Sequence, residues 1–324
     1  MTTNFSFLSK HKLHVSSSMV LIVCTVLALF CANVPVVKDW YFSLWQHNVS
    51  VSIGNFNLFS HGGHAMSLME VINDFLMAIF FLSVGLEIKR EIKVGELSTR
   101  DKALLPIIGA CGGMIVPVLV FYLFCPGDPA MQRGLAIPMA TDIAFSLGVL
   151  AMLGSRVPAS LKVFLATLAV ADDIGGILVI AIFYSSDINY MMLLYSVVVV
   201  ALLLIGANFL KIKSKLFYLG LGAVMWYLFL NSGIHSTIAG VIVAFCVPAT
   251  PSFASGNYIA TMRDRLSKFS DNESARVLDS RFLSKEQIDW LKEMENASDK
   301  VISPLQDLED SLQPLVNYII IPLF

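Results

Sequence analysis

Four aspartates stand inside apolar stretches long enough to cross a bilayer: Asp74, Asp142, Asp172 and Asp173. The last two are adjacent, in Val170-Ala171-Asp172-Asp173-Ile174-Gly175-Gly176, at the middle of the run Leu161 to Phe183. An aspartate at a bilayer centre costs about 2.5 to 3.5 kcal/mol of insertion free energy, and apolar residues each return about 0.3 to 0.6. The thirteen Leu, Ile, Val and Phe residues of this run therefore roughly cancel two carboxylates. A helix that gives up that much insertion energy buries its acids against polar partners or a water-filled cavity, which marks an ion or proton site. Burial and neighbouring negative charge favour the protonated acid, so a small hard cation that prefers oxygen ligands competes with protons for the same atoms. Adjacent helical residues point about 100° apart. Asp172 and Asp173 are therefore expected to take different roles, one on the ion and one on a cationic partner.

The elements that position these acids follow from composition. Of 324 residues, 56% are hydrophobic and 14% charged, and the mean hydropathy is +0.73. These values describe an all-α polytopic membrane protein. A net charge of −2 gives no footprint for nucleic acid. The five cysteines are scattered in or beside apolar spans without a CxxC pair, which reads as packing.

Eight complete spans are expected before Pro248: about 15–34, read as uncleaved, then 66–88, 104–124, 135–153, 161–183, 191–210, 216–230 and 232–247. The second carries Glu70 and Asp74 and ends in Glu87-Ile88-Lys89-Arg90-Glu91. Pro138 interrupts the fourth just before Thr141 and Asp142, removing a backbone donor and turning the preceding residue from helical geometry. A break of helix 4 within the membrane is expected there.

Charge sets the orientation. With the N-terminus in the cytoplasm, twelve of the fourteen Lys and Arg before Pro248 fall inside and only Lys38 and Arg133 outside, without counting the long loop that follows. Merging the last two spans would place the long charged loop outside. The chain thus divides into a transmembrane domain over 1–250, a charged cytoplasmic loop over 251–313, and the start of a truncated ninth span over 314–324. Ser284 with Gln287, and Ser303-Pro304 with Gln306, are capping patterns that predict two short helices in the loop.

Several stretches together resemble the NhaA-type sodium/proton antiporters of bacterial inner membranes. They are Ile72-Asn73-Asp74, Phe80 to Glu91, Ala136 to Phe145, Leu153 to Pro158, Asp172-Asp173 and Ser232 to Val241. The resemblance covers nearly all of the chain except the long loop, and it implies an inverted-repeat fold. It further implies electrogenic exchange of Na+ or Li+ for protons, for sodium extrusion and pH homeostasis, by a multi-pass inner-membrane transporter without a cofactor. Asp173 would be the main ion ligand, Asp172 the acid that pairs with a lysine, and Asp142 with Thr141 the crossing of the broken helix. Asp74 would lie on the proton pathway, and Glu87, Arg90, Glu91, His235 and Glu309 would form the pH response. The expected partners are the lipid bilayer, Na+, H+ and a second copy in a homodimer.

Each role has a plainer competitor. Glu87 and Arg90 form a spacing common and weak at exposed helix edges. A hydrogen-bonded packing histidine suits His235 as well as a sensor does, and Thr141 can bond back to its own helix. The family has twelve spans, with a second broken helix and a lysine on the tenth, none of which falls within these 324 residues. The expectation is a site half supplied by this polypeptide, with an inactive remnant as the alternative. A channel would carry sodium without moving protons. An intramembrane aspartyl protease would require a Gly-x-Gly-Asp element, whereas Val170-Ala171 precedes Asp172 and Ala140-Thr141 precedes Asp142.

Overall fold

The computed structural model describes residues 17–54, 56–61, 64–125, 134, 137, 146, 149–150, 153, 156–183, 188–251, 255–271 and 285–324. Most of the fourth expected span, including Pro138, Thr141 and Asp142, lies outside the described residues. Helix dominates the rest. α1 is Ser17–Asn33 and α2 is Pro35–Trp45, bent by 110° from it. Pro35 opens α2, where its missing N–H leaves no bond unmade. The sequence reading did not foresee α2, because Val34-Pro35 looked like the end of a span.

Between α2 and the next helix lie two antiparallel ribbons of two residues per strand, β1 (Ser52–Ile53) with β2 (Phe56–Asn57) and β3 (Ser60–His61) with β4 (His64–Ala65). Ser67 then starts a continuous helical run: α3 (Leu68–Val71), a π-helical turn over Ile72–Leu76, and α4 (Met77–Val94). The start is a capping box in which Ser67 Oγ accepts from the Glu70 amide and Glu70 accepts from the Ser67 amide. Glu70 is thus occupied at the helix end, and Asp74 is left as the acid of the span interior.

α5 (Arg100–Phe124), α6 (Ala159–Phe183) and α7 (Tyr190–Asn208) follow, then the shorter α8 (Lys215–Leu230) and α9 (Thr237–Cys246). The run Leu68–Val94, α5 and α7 are each long and apolar enough to cross a membrane, and so is the bent α1–α2 pair taken together. α9 begins several residues later than sequence suggested, because residues 231–236 form a turn whose Gly233 has φ +81°. Two separate helices, not one, fill residues 215–246.

Small residues set the tightest crossing, that of α4 on α9. A Cβ on Gly240 would strike the Ala78 carbonyl, and one on Gly85 would lie 2.8 Å from the Ala244 methyl. Such contacts let two backbones approach within a bilayer, where hydrophobicity alone does not drive helices together. Leu82, Leu86, Met225, Trp226, Val243 and Leu308 fill the adjoining core.

Among the described residues, the charged segment holds three helices, α10 (Ser255–Asp271), α11 (Lys285–Val301) and α12 (Pro304–Leu315). The capping box at Ser303 and Gln306 is present, and α11 starts directly after Ser284. α10, which lacks an obvious cap, is the one sequence missed. α12 continues through Pro314 into a π turn (Val316–Ile320) and α13 (Ile321–Leu323), so that proline does not end the helix.

Candidate functional site

α6 carries Asp172 and Asp173 between two neighbours. Val170, Ile174 and Ile177 pack on Phe80, Val84 and Ile88 of α4. On another face, Leu168 lies against Gly109, and Gly175 lies against Met114 of α5. At 3.6 residues per turn, Asp172 shares the stripe of Leu168 and Gly175, while Asp173 shares that of Val170 and Ile177. The two acids therefore occupy different sectors of the helix, one towards α5 and one on the α4 side. Asp172 is 8% exposed and Asp173 half-buried. A crevice lined by Phe81, Ile177, Thr237, Ile238 and Val241, too narrow to hold water, joins α4, α6 and α9 beside this stripe.

Asp74 lies in the π-helical turn, a feature that often marks functional positions because it displaces backbone groups from the regular ladder. Its Oδ1 accepts from Ser236 Oγ at 2.8 Å, and its carbonyl accepts from Trp226 Nε1 at 3.0 Å. Phe75 packs edge-on against the same indole, with centroids 5.0 Å apart. His235 Nδ1 and Thr237 Oγ1 are 2.8 Å apart and share a hydrogen bond. The structure brings Asp74 and His235 together at the opening of α9, which neither their spacing nor their types indicated.

At the other end of α4, Arg90 ties two carboxylates, with Nη2 3.5 Å from Glu91 Oε1 and Nε 3.5 Å from Glu309 Oε1 of α12. Glu91 Oε2 also accepts from the Glu96 amide at 3.0 Å. Glu309 is pushed above the usual carboxylate range, chiefly by burial; Arg90 pulls it down, and Glu87, Asp310 and Glu91 push it further up. Glu87, Arg90, Glu91 and Glu309, more than two hundred residues apart in part, thus meet as one cluster. His235 does not belong to it; it stands at the far end of α9.

Three participants escaped the sequence reading. Lys89 Nζ donates to the Phe245 carbonyl at 2.7 Å and to the Val247 carbonyl, closing the end of α9. Lys215 Nζ lies 2.7 Å from Asp307 and donates to Ser311 Oγ at 2.7 Å, binding the start of α8 to α12. Ser236 holds Asp74. The available signal was position, since lysines beside span ends sit where helix carbonyls need donors. Their partners are far away in sequence and carry no mark of their own.

Comparison with known proteins gives one consistent picture. The family described as Na+/H+ antiporter 1 matches residues 9–324. The chain is 56% identical over 321 residues to the Na(+)/H(+) antiporter NhaA of Phocaeicola vulgatus, covering 99% of this chain and 70% of that protein. It is 54% identical over 313 residues to the protein of the same name from Bacteroides thetaiotaomicron, covering 96% and 70%. Against Na(+)/H(+) antiporter NhaA 2 of Helicobacter hepaticus the identity is 43% over 309 residues, covering 95% and 67%.

Proposed function

Because the chain belongs to the Na+/H+ antiporter 1 family, we propose that it acts as a secondary transporter, exchanging Na+ or Li+ for protons across the bacterial inner membrane. The observation that carries this reading is the adjacent pair of buried Asp172 and half-buried Asp173 on one long apolar helix wedged between α4 and α5. A carboxylate in such a place is stable as a neutral acid or as a partner of a cation, and unstable bare. Loading with protons or with Na+ satisfies it in either case, and movement between the two faces of the membrane in loaded forms alone gives antiport.

In this reading Asp173, on the stripe shared with Val170 and Ile177, takes the ion, and Asp172 holds a cationic partner. Thr141 and Asp142 complete the ligand set from the broken fourth helix. Asp74 relays protons, and Glu87, Arg90, Glu91 and Glu309 adjust activity to pH at the cytoplasmic end, with His235 acting at the opposite end. Exchange of more than one proton per Na+ makes the cycle electrogenic, and no cofactor takes part. The transporter works within the lipid bilayer, as a homodimer.

The test uses inverted membrane vesicles from cells without antiporters of their own. Addition of Na+ or Li+ should collapse an imposed proton gradient with the wild-type chain, and Asp173→Asn should lower that response at least tenfold, as loss of the ion's main charged ligand implies. Sodium flux without proton movement would replace this reading with a channel.

A further inference from the structure

We infer that Ser236 is the residue that positions Asp74 for proton exchange, its hydroxyl being committed to that carboxylate in place of capping the helix it opens. This rests on the antiport reading for its transport consequence, and on geometry alone for the contact. Ser236 occupies the N-cap of α9, where a serine ordinarily accepts from the second or third amide of the helix. It makes no such bond, and its backbone is already helical at φ −60°, ψ −25°. At 2% exposure it is closed to bulk water. Its Oγ instead lies 2.8 Å from Asp74 Oδ1 and 3.4 Å from the Asp74 carbonyl.

A hydroxyl suits this task because it both donates and accepts. It donates to Asp74 when the acid is ionised. When Asp74 takes a proton, the acid's own O–H becomes the donor and Ser236 turns to accept. Asp74 exchanges the proton with water, Ser236 keeps its own, and the contact persists in both states. The other described neighbours are each fixed in one role. Trp226 Nε1, from α8, donates to the Asp74 carbonyl and carries no charge. His235, from the opening turn of α9, is engaged with Thr237, and Glu70, one turn earlier on the same helical run, is held by Ser67.

The position of Ser236 matters for a second reason. Thr237 is 3% exposed and lines the crevice that reaches Ile177, one turn beyond Asp173 on α6. Ser236 and Thr237 thus bridge the ground between Asp74 and the aspartate helix, and a loose Asp74 would lose its fixed distance from it.

The experiment reads protonation directly. Dicyclohexylcarbodiimide, an apolar reagent for protonated carboxyls, is applied to membranes carrying the chain at a series of pH values, and labelling of the Asp74 peptide is followed by mass spectrometry. Asp74→Asn gives the background. The bond to the ionised acid is charge-assisted and the stronger of the two, so losing it in Ser236→Ala favours the protonated form and should move the labelling midpoint upward by about one pH unit. Ser236→Thr, which keeps the hydroxyl, should stay with the wild type, and Ser236→Cys should fall between. In vesicles the antiport pH profile should move in the same direction for Ser236→Ala. An unmoved midpoint in Ser236→Ala, or an equal shift in Ser236→Thr, would overturn the assignment. A shifted midpoint with an unmoved antiport profile would overturn its link to proton exchange. A wild-type chain that moves no protons would sink the transport reading, while the labelling midpoints still decide the contact.

Discussion

Asp74 and Lys89 hold opposite ends of α9. Ser236, in the turn that opens α9, donates to Asp74, and Lys89 donates to the Phe245 and Val247 carbonyls where α9 closes. An acid near the N-terminus and a base at the C-terminus complement the helix dipole, and Lys89 also satisfies carbonyls that the short helix cannot satisfy itself. α4 therefore acts as a splint for α9.

Lys89→Met should remove two charge-assisted bonds and lower stability by about 1 to 3 kcal/mol. The thermal unfolding midpoint in detergent should fall accordingly. Lys89→Arg, able to reach the same carbonyls, should recover much of the loss. A midpoint equal to wild type in Lys89→Met would show that water serves these carbonyls equally well.

Packing on the same interface gives a sharper contrast. A side chain at Gly240 meets the Ala78 carbonyl and the Leu82 amide, 2.8 Å from the latter, and backbone cannot retreat as a flexible side chain can. Gly240→Val should cost about 3 kcal/mol or more, by the scale of overpacked cores, and reduce the folded yield. At Gly220 on α8 the same test meets open space. Gly220→Ala should be neutral or stabilising by up to about 1 kcal/mol. Fluorescence-detected size exclusion after graded heating separates the two.

The spans were legible because apolar runs state their length, and the aspartates were legible because they stand in the middle of those runs, whereas Glu70, Glu87 and Lys162 lie near their ends. Ala159–Phe183 lies within two residues of its expected bounds for that reason. What escaped was settled by partners distant in sequence. The π turn at Asp74 leaves no mark in composition, since Ile72-Asn73-Asp74-Phe75-Leu76 fits an ordinary helix equally well. The bond between Ser236 and Asp74, and the meeting of Arg90 with Glu309, depend on how α4, α9 and α12 pack. α10 escaped because its polar face resembles the loop around it, whereas the Ser303 cap announces α12 locally.

Glu309 gives the docking of α12 a pH dependence. Its side chain is 14% exposed, and burial outweighs the pull of Arg90, so the folded state holds its proton more tightly than the unfolded one. Between the ordinary carboxylate range and the raised value, the native state binds more protons, and stability falls as pH rises. Hydrogen exchange in α12 should therefore quicken as pH rises through that window, after correction for the intrinsic rate. Glu309→Gln cannot ionise and should show a flatter dependence. An equal slope in both proteins would assign the effect to other groups.

The charged segment leaves and returns at one point. The Leu305 amide donates to the Pro248 carbonyl at 3.1 Å, and the Ser303 cap fixes the start of α12 independently of what precedes it. α10 and α11 hold each other through Arg265 and Glu293, 2.6 Å apart, and through the hydroxyls of Tyr258 and Ser298. The excursion thus has its own internal contacts and a closed base. Replacing residues 252–301 by a short Gly/Ser linker should shorten a loop whose ends are already joined, a change worth only about 1 kcal/mol in closure entropy. Membrane insertion and Na+-driven proton movement should stay within about twofold of the intact chain, because a change of that size shifts a folded population little. Loss of antiport with insertion preserved would show instead that α10 and α11 act on the Arg90 and Glu309 cluster beside their base.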